Sequence, residues 1–318
     1  MKKLIKKYIN RLIKDVKKNN AKNNTKIPKI INVVLEGGGF NGGYEVGIMM
    51  FLRKMVGEKI IEIDKISGVS IGCIVGLLYF LDSLELYNKY YKVLRDCWIN
   101  NINLKDFETI TKEFIANMTD AEFEKVKCFK LYISYFDLQT KQHMTKYHYS
   151  NKQELYETIM KSTHIPFLKS REITFKDKEN NQFIDGMFPY LFHKTELKKN
   201  SKTLYISINH IRLIKGTIIT RHEDNPTLRI LHGILNCYDL FRFNTSNEFC
   251  SYVDDWSTFD ITYYRLIELF ITYLIHIFIL CREMYVKTFP YLSHIPFFHK
   301  FFDILGCYIG DIFYKHFT

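Results

Sequence analysis

A serine set between two glycines, Gly68-Val69-Ser70-Ile71-Gly72, follows an apolar run and precedes the small and apolar residues Cys73 to Phe80. Gly-x-Ser-x-Gly at a strand-to-helix corner is a nucleophile elbow: the sharp turn lifts the hydroxyl clear of the sheet, and the glycines admit neighbouring backbone. The following helix points its amino end at the hydroxyl and favours negative charge there. Ser70 is the candidate nucleophile. A second cluster stands upstream, Gly37-Gly38-Gly39-Phe40-Asn41-Gly42. Consecutive glycines bare their N–H groups and let them converge. Gly37, Gly38 and Gly39 can thus form an oxyanion hole, where one donor is worth roughly 2.7–4 kcal/mol of barrier. The run also fits a tight turn, or a phosphate cradle, because Gly37, Gly39 and Gly42 match G-x-G-x-x-G. The nucleotide alternative is weaker: the acid expected at the end of the next strand is poorly placed, and that strand runs into Ser70. No Gly-Lys-Ser/Thr follows, which excludes a P-loop. The third element is Asp185-Gly186, after the short apolar run Phe183-Ile184. An aspartate there can take the Ser70 proton, although Asp-Gly is also a common turn pair.

These residues need elements to hold them. Residues 31–35 (INVVL) read as a buried strand and 43–56 as a helix with Val46, Met49, Met50 and Met55 on one side. Residues 60–66 read as a second strand entering the Ser70 corner. Strand, helix, strand, helix implies a parallel sheet with right-handed crossovers. Gly39 and Ser70 are 31 residues apart, about one β-α-β unit, so both loops should lie at the carboxyl ends of neighbouring strands. Beyond them, 84–127 reads as mostly helical, 129–137 and 142–148 as a strand pair, 152–161 as a helix and 203–209 as a strand.

Charge is unevenly spread. Of 45 Lys and Arg and 34 Asp and Glu, residues 1–30 hold eleven bases and one acid, leaving 34 bases against 33 acids elsewhere. A nearly neutral body argues against a nucleic-acid-binding face. Residues 2–18 put Ile5, Ile9, Leu12, Ile13 and Val16 on one stripe with lysines opposite. Two readings compete: a helix lying on an anionic membrane surface, or a solvated helix packed loosely on the body. It lacks the unbroken apolar core of a secretory signal. Residues 19–29 read as a polar linker. Seven scattered cysteines without CxxC pairs suit reduced thiols in a cytosol-like compartment, and no metal constellation stands out. After about residue 226 helices dense in Phe, Tyr, Leu and Ile follow. The most apolar piece, 266–281, is interrupted by Glu268 and His276 and falls short of the ~20 residues that span a bilayer; it reads as a core helix.

The three motifs together resemble the patatin-like phospholipase family, whose pattern is GGGxRG, then GxSxG on the next strand, then a downstream Asp-Gly. Here these stand as GGGFNG (37–42), GVSIG (68–72) and DG (185–186), with further echoes at Gly47, at FDLQT (136–140) and at STHIPF (162–167). The resemblance covers about 31–210. It implies a Ser70–Asp185 dyad without histidine, cleavage of acyl esters in phospholipids or neutral lipids, and no cofactor. Asn41, Gly42, Gly68, Gly72 and Gly186 would support the motifs. Two positions depart from the pattern. Asn41 replaces the usual Arg or Lys, which would reinforce the oxyanion field, and Met187 stands where Gly or Ala is usual.

The expected fold is α/β, a patatin-like three-layer α/β/α arrangement with a mostly parallel central sheet and an aromatic-rich helical C-terminal extension. Expected divisions are an arm and linker at 1–29, a catalytic domain at 30–225 and the extension at 226–318. The expected setting is cytoplasmic and peripheral at membranes, with lipid substrate and an anionic membrane surface as partners and no nucleic acid. Two rival readings remain. One is a Ser-Asp-His hydrolase using His193, His210, His222 or His232, with His164 also near the site. The other is a degenerate scaffold that binds lipid or membrane without turnover.

Overall fold

The computed structural model describes residues 2–23, 27–101, 106–165, 174–209, 213 and 223–292. The chain divides into two compact units, Met1–Asp255 and Trp256–Thr318. The first is built on a mixed sheet with helices on both sides. Its strands are β1 (Ile30–Leu35), β2 (Glu62–Val69), β3 (Cys128–Asp137), β4 (Gln142–His148), β5 (Phe175–Lys176), β6 (Gln182–Asp185), β7 (Ser201–Ile206) and β8 (Cys250–Tyr252). They run in the order β5-β6-β3-β2-β1-β7-β8, with β4 beside β3.

The central strands β3, β2, β1 and β7 are parallel, and the strands added outside them are antiparallel. The sequence explains the centre. Ile31, Val33, Val34 and Leu35 are fully buried, as strands covered on both faces require. Helix α2 (Gly42–Gly57) leaves the glycine run and α3 (Ile71–Phe80) leaves the Ser70 corner. Helices α4 (Tyr87–Asn101), α5 (Asp106–Ala116) and α6 (Asp120–Val126) lead to β3, and α7 (Lys152–Ser162) follows β4.

Helix α8 (Thr227–Phe243) belongs to the first unit and crosses α2 at backbone contact. A Cβ on Gly47 would lie 2.0 Å from the Ile230 carbonyl oxygen, and one on Gly233 would lie 2.0 Å from that of Tyr44. Only glycine permits that approach. Helix α1 (Lys2–Asn23) lies on α8 and α2. Ile9, Ile13 and Val16 are buried, and Asn20 and Asn19 donate to the carbonyls of Phe241 and Arg242. Asp15 accepts from the Tyr238 hydroxyl at 2.6 Å and pairs with Arg242. The apolar stripe of the sequence is thus occupied by the body. The opposite face carries Lys7, Arg11, Lys14, Lys18 and Lys22, all exposed.

In the second unit, α9 (Thr258–Leu292) is one long helix. Leu266, Leu269, Phe270, Tyr273 and Leu274 lie along it. Among the described residues, no helix is long and apolar enough to cross a membrane.

Candidate active site

Strand register brings the three motifs together. Leu35 of β1 pairs with Gly68 of β2, so the loops that leave these strands emerge side by side. Val69 pairs with Ser134 of β3, and the next residue of β3, Tyr135, pairs with Asp185 of β6. The carboxyl end of antiparallel β6 therefore meets the carboxyl end of β2 at one level.

Ser70 sits at φ 53°, ψ −126° and is 6% exposed. A non-glycine residue held there costs on the order of 1–3 kcal/mol, so neighbours must fix it. They do. Its N–H donates to Ser162 Oγ at 3.0 Å, and its carbonyl accepts from Cys73 N–H at 3.2 Å. Gly68 and Gly72 close the corner: a Cβ on Gly68 would strike the backbone of Gly72, and one on Gly72 the carbonyl of Glu36 at 2.7 Å.

The Ser70 hydroxyl lies close enough to the Asp185 carboxylate to pull its titration down. Asp185 also accepts from Met187 N–H at 2.8 Å, and its own N–H donates to the His164 carbonyl at 2.9 Å. Burial pushes the Asp185 carboxyl up to about 6, against the opposing pull of the Ser70 and Met187 hydrogen bonds. Gly186 follows, packed on the backbone of Ser134. Met187 takes φ 60° and is 42% exposed.

The glycine loop lies against Ser70. A Cβ on Gly37 would come 2.8 Å from the Ser70 Cβ. Gly39 has φ 51°, which turns the chain into a short 3-10 turn, Gly39–Asn41, before Gly42 opens α2. Among the described residues, the N–H groups of Gly38 and Gly39 have no hydrogen-bond acceptor. The loop is anchored from β7: Asn209 donates its amide to the Gly37 carbonyl, and Glu36 accepts from Ser207 Oγ and from the N–H groups of Ile208 and Asn209. Glu45, in the first turn of α2, is fully buried; burial and the Glu36 charge hold its carboxyl well above the usual range.

The signature of the family described as patatin-like phospholipase matches residues 33–204, which contain all three motifs. The chain belongs to this family. Membership supports a lipid hydrolase. Among solved structures, the chain is similar to VipD from Legionella pneumophila, at 11% identity and a TM-score of 0.33, over 56% of this chain and 50% of that one. It thus spans about half the length of that protein. No curated protein matches.

For a patatin-like chain, the histidines are informative. His193 and His232 are exposed, and among the described residues the Asp185 carboxylate accepts from Met187 N–H. His164 contributes its carbonyl to Asp185 and its ring packs 6.4 Å from Phe175. His210 and His222 lie outside the described residues. Two contributors carry little signal in the sequence. Ser162 fixes the elbow N–H, and only the STHIPF echo points to it. Arg229 donates to Asn41 Oδ1 at 2.9 Å from α8, with no signal near the motifs.

Proposed function

We propose that the protein hydrolyses fatty-acyl esters of phospholipids or other glycerolipids through a Ser70–Asp185 dyad. What supports this reading is the register that sets the end of β2, before Ser70, and the buried Asp185 of β6 at adjacent levels of β3, with the glycine loop packed against Ser70. Asp185 accepts the hydroxyl proton as Ser70 Oγ attacks the ester carbonyl carbon. The carbonyl oxygen becomes an oxyanion and takes hydrogen bonds from the glycine loop. Asp185 then returns its proton to the departing alcohol, leaving an acyl-enzyme. Water, deprotonated by the same carboxylate, attacks that ester and releases the fatty acid with Ser70 restored. A carboxylate that titrates near 6 suits a general base, because it is mostly ionised at neutral pH yet far more basic than an exposed aspartate.

The surface of α1 supports a site of contact with anionic lipid. Successive positions on a helix advance by about 100°. Lys7, Arg11, Lys14, Lys18 and Lys22 therefore form one cationic stripe, directly opposite the buried Ile9, Ile13 and Val16. Beside it runs a groove of about 520 Å³ floored by Leu4, Tyr8, Leu231 and Leu235 and edged by Lys7 and Arg11. Adhesion by this face rests on charge, because the apolar stripe is already buried.

The decisive measurement is fatty-acid release from a glycerolipid panel by wild type, Ser70→Ala and Asp185→Asn, with labelling by a serine-directed fluorophosphonate. Release and labelling by wild type alone are expected. A folded wild type that neither labels nor releases acid would favour the binding-only scaffold.

A further inference from the structure

A buried guanidinium stands behind the glycine loop. Arg229 is 4% exposed although it lies in the first turn of α8, where a cation opposes the helix dipole. Its Nη1 donates to Asn41 Oδ1 at 2.9 Å and its Nε to Glu223 Oε2 at 2.7 Å. Asn41 is fully buried, and its Nδ2 donates to the carbonyls of Ile208 and Leu213, both at 3.1 Å. The amide is therefore read from both sides. Turned over, it would set its oxygen against two carbonyls and its NH2 against a guanidinium.

The Asn41 backbone N–H donates to the Gly38 carbonyl at 2.9 Å. That carbonyl and the Gly39 N–H share one planar trans peptide, so they point in opposite directions. Whatever fixes Asn41 also fixes the aim of the Gly39 N–H. We propose that Arg229 is a positioning residue for the acyl-transfer site: through Asn41 it holds the Gly38–Gly39 peptide, and it supplies from α8 the cation that the loop itself lacks. The proposal rests on the hydrolase reading given above. It also accounts for asparagine at 41, because a basic side chain there would press a second cation against a buried one. A buried ion pair by itself adds little to stability, so the fixed geometry is its main effect.

The test uses the full chain, a short-chain p-nitrophenyl ester and the fluorophosphonate labelling rate, for wild type, Arg229→Gln, Arg229→Lys, Asn41→Ala and the Arg229→Gln/Asn41→Ala double variant. Arg229→Gln should lower kcat about 10²-fold with KM unchanged, and labelling should slow in parallel. Arg229→Lys keeps the charge but loses the fork, and should recover about tenfold of that loss. Asn41→Ala should match Arg229→Gln, and the double variant should be no slower than either single one, because all break one linkage. The proposal is overturned by a folded Arg229→Gln or Asn41→Ala with kcat within about threefold of wild type. It is also overturned if Arg229→Lys is as slow as Arg229→Gln while both lose the same unfolding midpoint. Where Arg229→Gln does not fold, Asn41→Ala decides by the same kcat and KM criterion. A wild type that neither labels nor turns over removes the hydrolase reading, and this proposal with it. An active wild type alongside unaffected variants removes this proposal alone.

Discussion

Around Ser70 the groups held are peptide groups, fixed by backbone and side-chain partners alike, whereas α1 is fastened by its own side chains. At the corner, peptide groups of Ser70, Asp185 and Gly38 each have a hydrogen-bond partner, and Gly68 and Gly72 admit contacts that any side chain would block. On α1, three apolar residues and a few polar bonds fasten the helix, and the opposite face is left to five cations. A region whose peptide groups are fixed tolerates little change in shape but tolerates strain. A side-chain-built one can lose a contact and keep its form. The two regions should therefore fail differently, one in turnover and the other in stability or adhesion.

The sharpest separation is expected at the dyad. Ser70→Ala and Asp185→Asn should each lower ester hydrolysis by at least about 10³-fold while the fold survives, measured by single-turnover release beside circular dichroism. Wild-type kcat should rise as pH increases through about 6 and then level, as Asp185 becomes ionised. Stability runs the other way. The folded value lies above the unfolded 3.8, so the contribution of this group is present below 3.8 and lost as pH rises through about 6. By pH 8 the ionised form costs about 3 kcal/mol. Asp185→Asn should be more stable than wild type by up to that amount at pH 8, and equal to it near pH 4, by urea unfolding.

The α2–α8 crossing supports both regions. Gly47→Ala or Gly233→Ala sets a methyl 2.0 Å from a carbonyl oxygen and should cost about 3 kcal/mol or more, read from denaturant midpoints. On α1, Ile13→Ala should cost about 2–4 kcal/mol yet leave kcat on a soluble ester unchanged. A loss of kcat there would erase the contrast between the regions. Replacing Lys7, Arg11, Lys14, Lys18 and Lys22 by Gln should weaken binding to anionic vesicles by about 1 kcal/mol per cation, with no change on neutral vesicles or in stability. Co-sedimentation at two salt concentrations reads this directly. The smallest effect belongs to Met187→Gly, which relieves φ 60° and should stabilise by about 1 kcal/mol.

Much of the site was legible because its motifs are local. A Gly-x-Ser-x-Gly corner needs only the residues on either side of Ser70, and the glycine run shapes its own turn. Asp185 was readable from the family pattern, though its level beside the end of β2 depends on β6 running antiparallel to β3. Residues 227–252 were harder. Their aromatic density resembles that of α9, yet α8 belongs to the sheet unit, where it buries Ile230, Ile234 and Phe241. Composition does not tell these helices apart.

Residue type and spacing alone determined the fold class, the order of the motifs, the nucleophile candidate and the basic stripe of α1, since each depends on neighbours within a turn or two of chain. Tertiary structure alone decided what meets what. It set Arg229 against Asn41, 188 residues away, buried the apolar side of α1 on α8, and raised Asp185 to about 6 by excluding water from it. Those outcomes depend on distance through space and on desolvation, and neither quantity is carried by the order of residues along the chain.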